Sequence, residues 1–236
     1  MTVMRTVIIG DIHGCFDEFE ELLRKIDFDS SQDRLVLNGD LMDRGKNSYE
    51  VFCKAVKLKA EMGDRMTVIK GSHEKMLLDR SDRFIDRMIW RLAGKGAALR
   101  SFRRNGANMQ DSASWFGEHC VLYYEAEHFQ CVHAAVKNAG LAEQDEYTLT
   151  MDHRLVRKNT YTGKLTVVGH VVHKHPTFYD GSGKKGQRLK YGVWQPLPSR
   201  GIICIDTGCA EGNKLTAMII QDDRFYLEYV KMATVD

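Results

Sequence analysis

Six times along this chain a short apolar run, rich in β-branched residues, stops against a side chain able to do chemistry, with a glycine or another small residue beside it. Val7-Ile8-Ile9 runs into Gly10-Asp11-Ile12-His13-Gly14, and Leu35-Val36-Leu37 into Gly39-Asp40-Leu41-Met42-Asp43-Arg44-Gly45. Met66 to Ile69 runs into Gly71-Ser72-His73-Glu74, and Phe129 to Val132 into His133-Ala134. Leu165 to Val168 runs into Gly169-His170, and Ile202 to Ile205 into Asp206-Thr207-Gly208. Runs of this length and composition are expected as buried strands. The segments between the early ones have helical period. Phe16, Phe19, Leu22, Leu23 and Ile26 share one face with Asp17 as the expected N-cap, and Tyr49, Phe52, Val56 and Leu58 mark a second helix ending near Gly63. Strands alternating with helices predict a layered α/β fold, and in such sheets ligands gather at the carboxyl ends of the strands.

Towards the C-terminus the pattern changes. Leu215 to Gln221, Asp222-Asp223 and Phe225 to Val230 predict a β-hairpin. Two regions stand outside the strand ladder. One is a helical insertion over about 80–118, Arg-rich from Arg80 to Trp115, with Phe84, Met88, Ile89 and Leu92 on one face; the other is a loop rich in Gly and Lys over about 180–200. No internal repeat or interdomain linker interrupts the chain, so 1–236 is expected to form a single domain.

No stretch of about 18 apolar residues is present, so a membrane is not an expected partner. The first ten residues are too short an apolar run for a signal peptide. The six cysteines contain no CxxC pair, and four lie in or beside apolar runs, as expected of free thiols in a reducing, cytoplasmic setting. A net charge of +2 selects no partner.

Asp11 and His13 alternate outward from a strand end, which lets both side chains face the same way. A lone Asp-x-His is more often a turn with a satisfied histidine. Asp40, His133 and His170 at equivalent strand ends reverse that balance and predict a metal site, with mixed oxygen and imidazole donors suited to Mn, Fe or Zn rather than Ca or Mg.

The three glycine-flanked blocks at Gly10–Gly14, Gly39–Gly45 and Gly71–Glu74 follow one another with about 25 residues between each and the next. In order and spacing they resemble the signature blocks of the phosphoprotein phosphatase branch of metallophosphoesterases. Gly14-Cys15 and Ile205-Asp206-Thr207-Gly208 resemble the bacterial and phage-type serine/threonine protein phosphatases, and also the symmetrical diadenosine tetraphosphate hydrolases. The resemblance covers nearly the whole chain apart from the two inserted regions. It implies a calcineurin-like fold, a central β-sandwich of mixed sheets flanked by helices, and a phosphoesterase dependent on two divalent metal ions, manganese first.

By the same resemblance Asp11, His13 and Asp40 hold one ion, and Asp40, His133 and His170 the other. A water shared by the two is activated for in-line attack on phosphorus. Arg44 grips the phosphoryl oxygens through a planar fork that lysine could not copy. Arg154 is the second phosphate arginine, with Arg157 the competing choice. His73 is the general acid, and Asp43 orients it and favours its charged form. In one place the chain departs from the family: Ser72 stands where the family has an asparagine whose amide oxygen ligates the second metal. A serine hydroxyl is shorter and a poorer donor, so weaker second-site affinity is expected.

Arg83, Arg87 and Arg91 form a basic stripe, but Asp79, Asp82 and Asp86 lie among them, and a solvated helix face is the expected reading. Without interleaved aromatic residues or an RNA-recognition motif, nucleic acid is not expected as a partner. His173 and His175 are expected in a solvent-facing loop, and Cys15 is not expected to be a nucleophile. The leading expectation is a phosphomonoesterase acting on phosphoserine or phosphothreonine in proteins, or more broadly on small phosphate esters. Asp43 and Glu74 are of the protein-phosphatase type, whereas the run Asp206 to Cys209 leans towards a dinucleoside polyphosphate hydrolase with a nucleotide substrate. A metal-binding pseudophosphatase, weakly active or inactive and serving as a binding protein, is the third reading.

Overall fold

The computed structural model describes residues 4–79 and 88–233. Its frame is two mixed β-sheets packed face to face. The first contains β1 (Thr6–Ile9), β2 (Arg34–Leu37), β3 (Met66–Ile69), β4 (Cys120–Val121), β10 (Trp194–Pro196), β12 (Lys214–Gln221) and β13 (Arg224–Lys231), in the order β10-β13-β12-β1-β2-β3-β4. The second contains β5 (Tyr123–Glu125), β6 (Phe129–Val132), β7 (Leu165–Val168), β8 (Thr177–Tyr179), β9 (Gln187–Arg188) and β11 (Ile202–Cys204), in the order β5-β6-β7-β11-β8-β9.

Each central strand is buried on both faces, which is why the sequence runs are continuously apolar rather than alternating. The period-two geometry then divides them between layers. Val7, Ile9, Leu35 and Leu37 join the core beneath the helices, while Ile8 and Val36 face the opposite sheet. On the second sheet Phe129, Cys131, Leu165, Val167 and Ile203 face inward, and Val132, Val168, Ile202 and Cys204 face outward. The outer face of the first sheet is covered by α1 (Phe16–Lys25), α2 (Ser48–Met62), α3 (Ser72–Asp79), α4 (Gly96–Arg104) and α5 (Met109–His119). The short helices α6 (Glu146–Met151) and α7 (Arg154–Lys158) lie over the second.

Strands β1, β2 and β3 are mutually parallel, as are β6, β7 and β11. Parallel strands end on the same side, so the two trios carry their chemistry-bearing residues to one edge of the sandwich. The C-terminal hairpin forms as expected, with Gln221 opposite Arg224.

Three expectations need correction. Asp17 does not cap α1: Cys15 occupies the cap position without a side-chain bond, and Asp17 lies in the first turn, where its charge meets the positive end of the helix. In the insertion, Phe84 and the stripe residues Arg83 and Arg87 lie outside the described residues. Met88, Ile89 and Leu92 do not bury a shared face; they stand exposed at 48%, 52% and 81%, and Trp90 turns into the core instead. The stretch 180–200 is not one loop, because β9 extends the second sheet at β8 and β10 extends the first at β13. Backbone pairing at both sheet edges organises a segment whose composition suggests only a turn.

Candidate metal centre

The site is assembled on five residues in the left-handed region of backbone space. Of the eight described non-glycine residues with positive φ, five are His13, Asp40, Asp43, Arg44 and His170. Such conformations cost about 1–3 kcal/mol each and persist only where the surroundings hold them. Here the restraint is backbone to backbone: the His13 N–H donates to the Asp40 carbonyl at 2.9 Å, and the Gly45 N–H to the His13 carbonyl at 2.8 Å. Glycine is required where the loops touch. A Cβ at Gly71 would lie 2.3 Å from the Asp40 backbone nitrogen and carboxylate, and one at Gly169 would lie 2.0 Å from Asp11 Oδ1.

Asp40 is the hub, 1% exposed. Its Oδ1 accepts from the His73 backbone N–H at 2.8 Å, at the N-terminal end of α3, where a carboxylate is favoured by the helix dipole. Ser72 Oγ donates to Oδ2 at 3.0 Å, so its hydroxyl is engaged with the carboxylate itself. Around Oδ2 stand His133 Nε2 at 3.3 Å, His13 Nε2 at 3.6 Å and His73 Nε2 at 4.0 Å. Burial opposes the charge of Asp40, but His133, His73 and His13 outweigh it and hold its pKa well below the usual value.

Each histidine is oriented through its other ring nitrogen. His13 Nδ1 donates to the Met42 carbonyl at 2.9 Å and His133 Nδ1 to the Asn38 carbonyl at 2.8 Å, which aims both Nε2 atoms at Asp40. His170 Nε2 donates to the Met151 carbonyl at 3.1 Å and so presents Nδ1. Burial, with His73 nearby, keeps His13 neutral, and burial, with His133 nearby, lowers His170 to about 4. Neutral imidazoles with one nitrogen committed to a carbonyl are the form that binds metals.

Two sets of donor atoms, His13–Asp40–His73 and Asp40–His133–His170, each lie within 4.8 Å of one another and could hold a cation. His133 Nε2 is buried and lacks a hydrogen-bond partner among the described residues, which fits an atom aimed at an ion. Burial disfavours a charged His133, yet Asp40 and Asp11 raise its pKa to about 10. Asp11 flanks the cluster, 3% exposed, with its carboxylate accepting from the His170 N–H at 3.1 Å; burial and Asp206 push its pKa well above the usual value.

Beside the hub, Asp43 Oδ2 accepts from His73 Nδ1 at 2.7 Å. Burial disfavours charge on His73, but Asp40 and Asp43 together raise its pKa. Arg44 lies at the rim, paired through Nη1 with Glu211 Oε1 at 3.0 Å. Arg154 opens α7, exposed, three residues beyond the carbonyl that orients His170, and its side chain has no partner among the described residues. Arg157 acts electrostatically on His173 and Tyr179 rather than on the hub. His173 is not fully solvent-facing: it is half-buried, and its Nε2 pairs with the Tyr179 hydroxyl at 2.8 Å.

Three contributors were not assigned from sequence. Asp206 is 3% exposed and faces Asp11 and Asp40, with its pKa raised to about 6, chiefly by burial. Its position at the end of an apolar run is the same signal that marks His133 and His170. Glu74, fully buried, accepts from the backbone N–H groups of Asp40, Leu41 and Gly71 at 2.8, 2.9 and 3.0 Å, and so holds the Asp40 turn in place. Trp90 Nε1 donates to Asp43 Oδ2 at 2.7 Å; nothing in its local sequence singles it out. Cys15 lies apart from the hub in a buried group with Glu18 and Cys209, where contact with Cys15 and burial raise the pKa of the Cys209 thiol.

A two-sheet α/β sandwich with imidazole and carboxylate donors at its parallel strand ends defines a metallophosphoesterase. The chain belongs to the calcineurin-like phosphoesterase family, whose pattern matches residues 4–192. Over 270 aligned residues it is 24% identical to a symmetrical bis(5'-nucleosyl)-tetraphosphatase of Hamiltonella defensa, covering 95% of this chain and 97% of that protein. A protein of the same description from Glaesserella parasuis is 45% identical over 75 residues, which are 32% of this chain and only 26% of that protein. Several other curated relatives are likewise matched over about a quarter of their length. Among solved structures, a metallophosphoesterase from Sphaerobacter thermophilus superposes with a TM-score of 0.66 at 14% identity, over 98% of this chain and 90% of that one. A protein serine/threonine phosphatase from Saccharomyces cerevisiae superposes with a TM-score of 0.64 at 15% identity, over 100% and 82%. At these identities the structural likeness establishes the fold.

Proposed function

We propose that the chain is a metal-dependent phosphomonoesterase acting on phosphoserine and phosphothreonine in proteins. Two divalent cations, manganese first and iron or zinc with the same donors, would be held by Asp11, His13 and Asp40 and by Asp40, His133 and His170, with Ser72 beside them. Bound there, such ions supply a water of lowered pKa and neutralise phosphate charge. Arg44 would leave Glu211 to hold two phosphoryl oxygens through its fork, and Arg154 would approach from α7.

The observation that carries this reading is the buried His73–Asp43 pair. A serine or threonine alkoxide is a poor leaving group and needs a proton as the bond to phosphorus breaks. His73 Nε2, with Nδ1 tied to a carboxylate at 2.7 Å, is a general acid built for that task. A nucleotide phosphate leaves as a stable anion and needs far less help. The names of the relatives favour a second reading, symmetrical hydrolysis of a dinucleoside tetraphosphate. The purified protein with Mn²⁺ should be assayed on a phosphoserine peptide, p-nitrophenyl phosphate and diadenosine tetraphosphate. We expect turnover of the peptide, and His73→Asn should slow it by about 10²–10⁴ while affecting p-nitrophenyl phosphate much less. Turnover of the dinucleotide alone would overturn the protein-substrate reading, and no turnover with metal bound would favour a binding protein.

A further inference from the structure

Among the described residues, the helical insertion supplies a side-chain donor from outside the signature blocks to the acid pair. Trp90 is 8% exposed and packs into the core beneath the helices. Its only polar atom donates to Asp43 Oδ2 at 2.7 Å, the same oxygen that accepts from His73 Nδ1 at 2.7 Å. The other oxygen, Oδ1, is buried and has no hydrogen-bond partner among the described residues. Two donors therefore converge on one oxygen. With His73 as the sole donor, the carboxylate could rotate about its Cβ–Cγ bond and offer either oxygen; a second donor fixed in the core removes that freedom.

The same turn of the insertion braces the next residue. The Arg44 N–H donates to the Gly94 carbonyl at 3.3 Å. Gly94 has φ 106°, and a Cβ there would lie 2.7 Å from Arg44 N and 2.9 Å from Arg44 Cα and Cγ. Lys95 Nζ sits 3.6 Å from the centre of the Trp90 ring, a cation–π contact. Asp43 and Arg44 are consecutive residues with positive φ, 70° and 60°, a strained pair that needs support from outside its own loop.

We propose that Trp90 is a positioning residue: the insertion, through the Trp90 indole N–H and the Gly94 carbonyl, aims the Asp43–His73 pair and the Arg44 backbone, and so governs protonation of the leaving group. A buried indole N–H needs an acceptor wherever it lies, and here the acceptor is the oxygen that also receives His73, while Gly94 lies directly against Arg44. The catalytic part of this inference rests on the phosphomonoesterase reading; the geometric part does not.

The test uses the full chain loaded with zinc, which is diamagnetic, and labelled with ¹⁵N-histidine. The Nδ1–H proton of His73 should give a far-downfield resonance, identified by its loss in His73→Asn. In Trp90→Phe, which keeps an aromatic ring and drops the N–H, that resonance should move upfield and exchange faster with water. Gly94→Ala, which displaces the turn and leaves the indole intact, should move it in the same direction and provides the test if Trp90→Phe does not fold. With manganese, Trp90→Phe should lower kcat on a phosphoserine peptide roughly tenfold, leave p-nitrophenyl phosphate within about twofold, and add nothing in a His73→Asn background. An unmoved resonance in folded Trp90→Phe and Gly94→Ala overturns the proposal whatever the kinetics. Equal losses on both substrates that add to those of His73→Asn would reduce Trp90 to packing. If the wild type turns over neither substrate while the resonance responds as expected, the phosphomonoesterase reading fails and the positioning role stands.

Discussion

At the scale of single residues, the site depends on groups that touch no ion or substrate in the proposed reaction. Glu74 is the clearest case, because three backbone N–H groups of two different strand ends share its carboxylate. Leaving buried N–H groups without an acceptor costs about 1–3 kcal/mol each, and the Asp40 turn would relax to recover them. Glu74→Gln retains the shape but directs an amide NH₂ at donors. We expect it to weaken cation binding roughly 10–100-fold, as loss of an orienting partner does; titration calorimetry on folded protein measures this, and unchanged affinity would remove Glu74 from that role. Glu74 was legible as part of a sequence block, but its task was not, because two of the three N–H groups it serves lie 33 and 34 residues away in sequence. Ser72 illustrates the reverse. Its departure from the family pattern was visible at once, whereas its partner, the Asp40 carboxylate, emerged only from packing.

At the scale of elements, the apolar runs were sufficient to locate β1, β2, β3, β6, β7 and β11, because strands buried on both faces leave a continuous signal. The segment after β8 left none. It is held instead by Asp180, whose Oδ1 accepts from Asn159 Nδ2 at 3.0 Å, from the Ser182 N–H at 3.0 Å and from Ser182 Oγ at 2.6 Å. The Ser182 bonds, with that from Asn159, depress its pKa from 3.8 to about 2. A depressed carboxylate stabilises the folded state fully above its unfolded pKa and loses that contribution as pH falls through its folded pKa. Asp180→Asn should therefore be less stable than the wild type at neutral pH, and the gap should close between about pH 4 and pH 2. Thermal melts of the two proteins across that window check this, and a gap independent of pH would rule it out. The insertion shows why the helical period misled: Met88, Ile89 and Leu92 define an apolar stripe, but the acceptor at Asp43 draws Trp90 inward.

At the scale of the whole molecule, the donors of the candidate metal centre come from both sheets, with Asp11, His13 and Asp40 following strands of the first and His133 and His170 following strands of the second. A cation there would bind only the folded sandwich. At a free concentration 100 times Kd, one such ion adds about 2.7 kcal/mol. For a chain of this size that corresponds to a rise of about 5–10 °C in Tm, reversed by a chelator. Loading should also expel a proton, since Asp40 and Asp11 raise His133, against its burial, to about 10. Calorimetry in two buffers of different ionisation enthalpy reads that proton directly, and a Tm indifferent to manganese would contradict the ligand set. The sequence alone determined the six apolar strands, the chemistry-bearing residues at their ends and the donor types, because these are local properties written in short windows of residues. Only the tertiary structure decided that Asp206 and Glu74 lie against the hub, that His170 presents Nδ1, and that Trp90 meets His73 on the Asp43 carboxylate. Those facts depend on how two sheets and an insertion approach one another, and no window of sequence contains that distance.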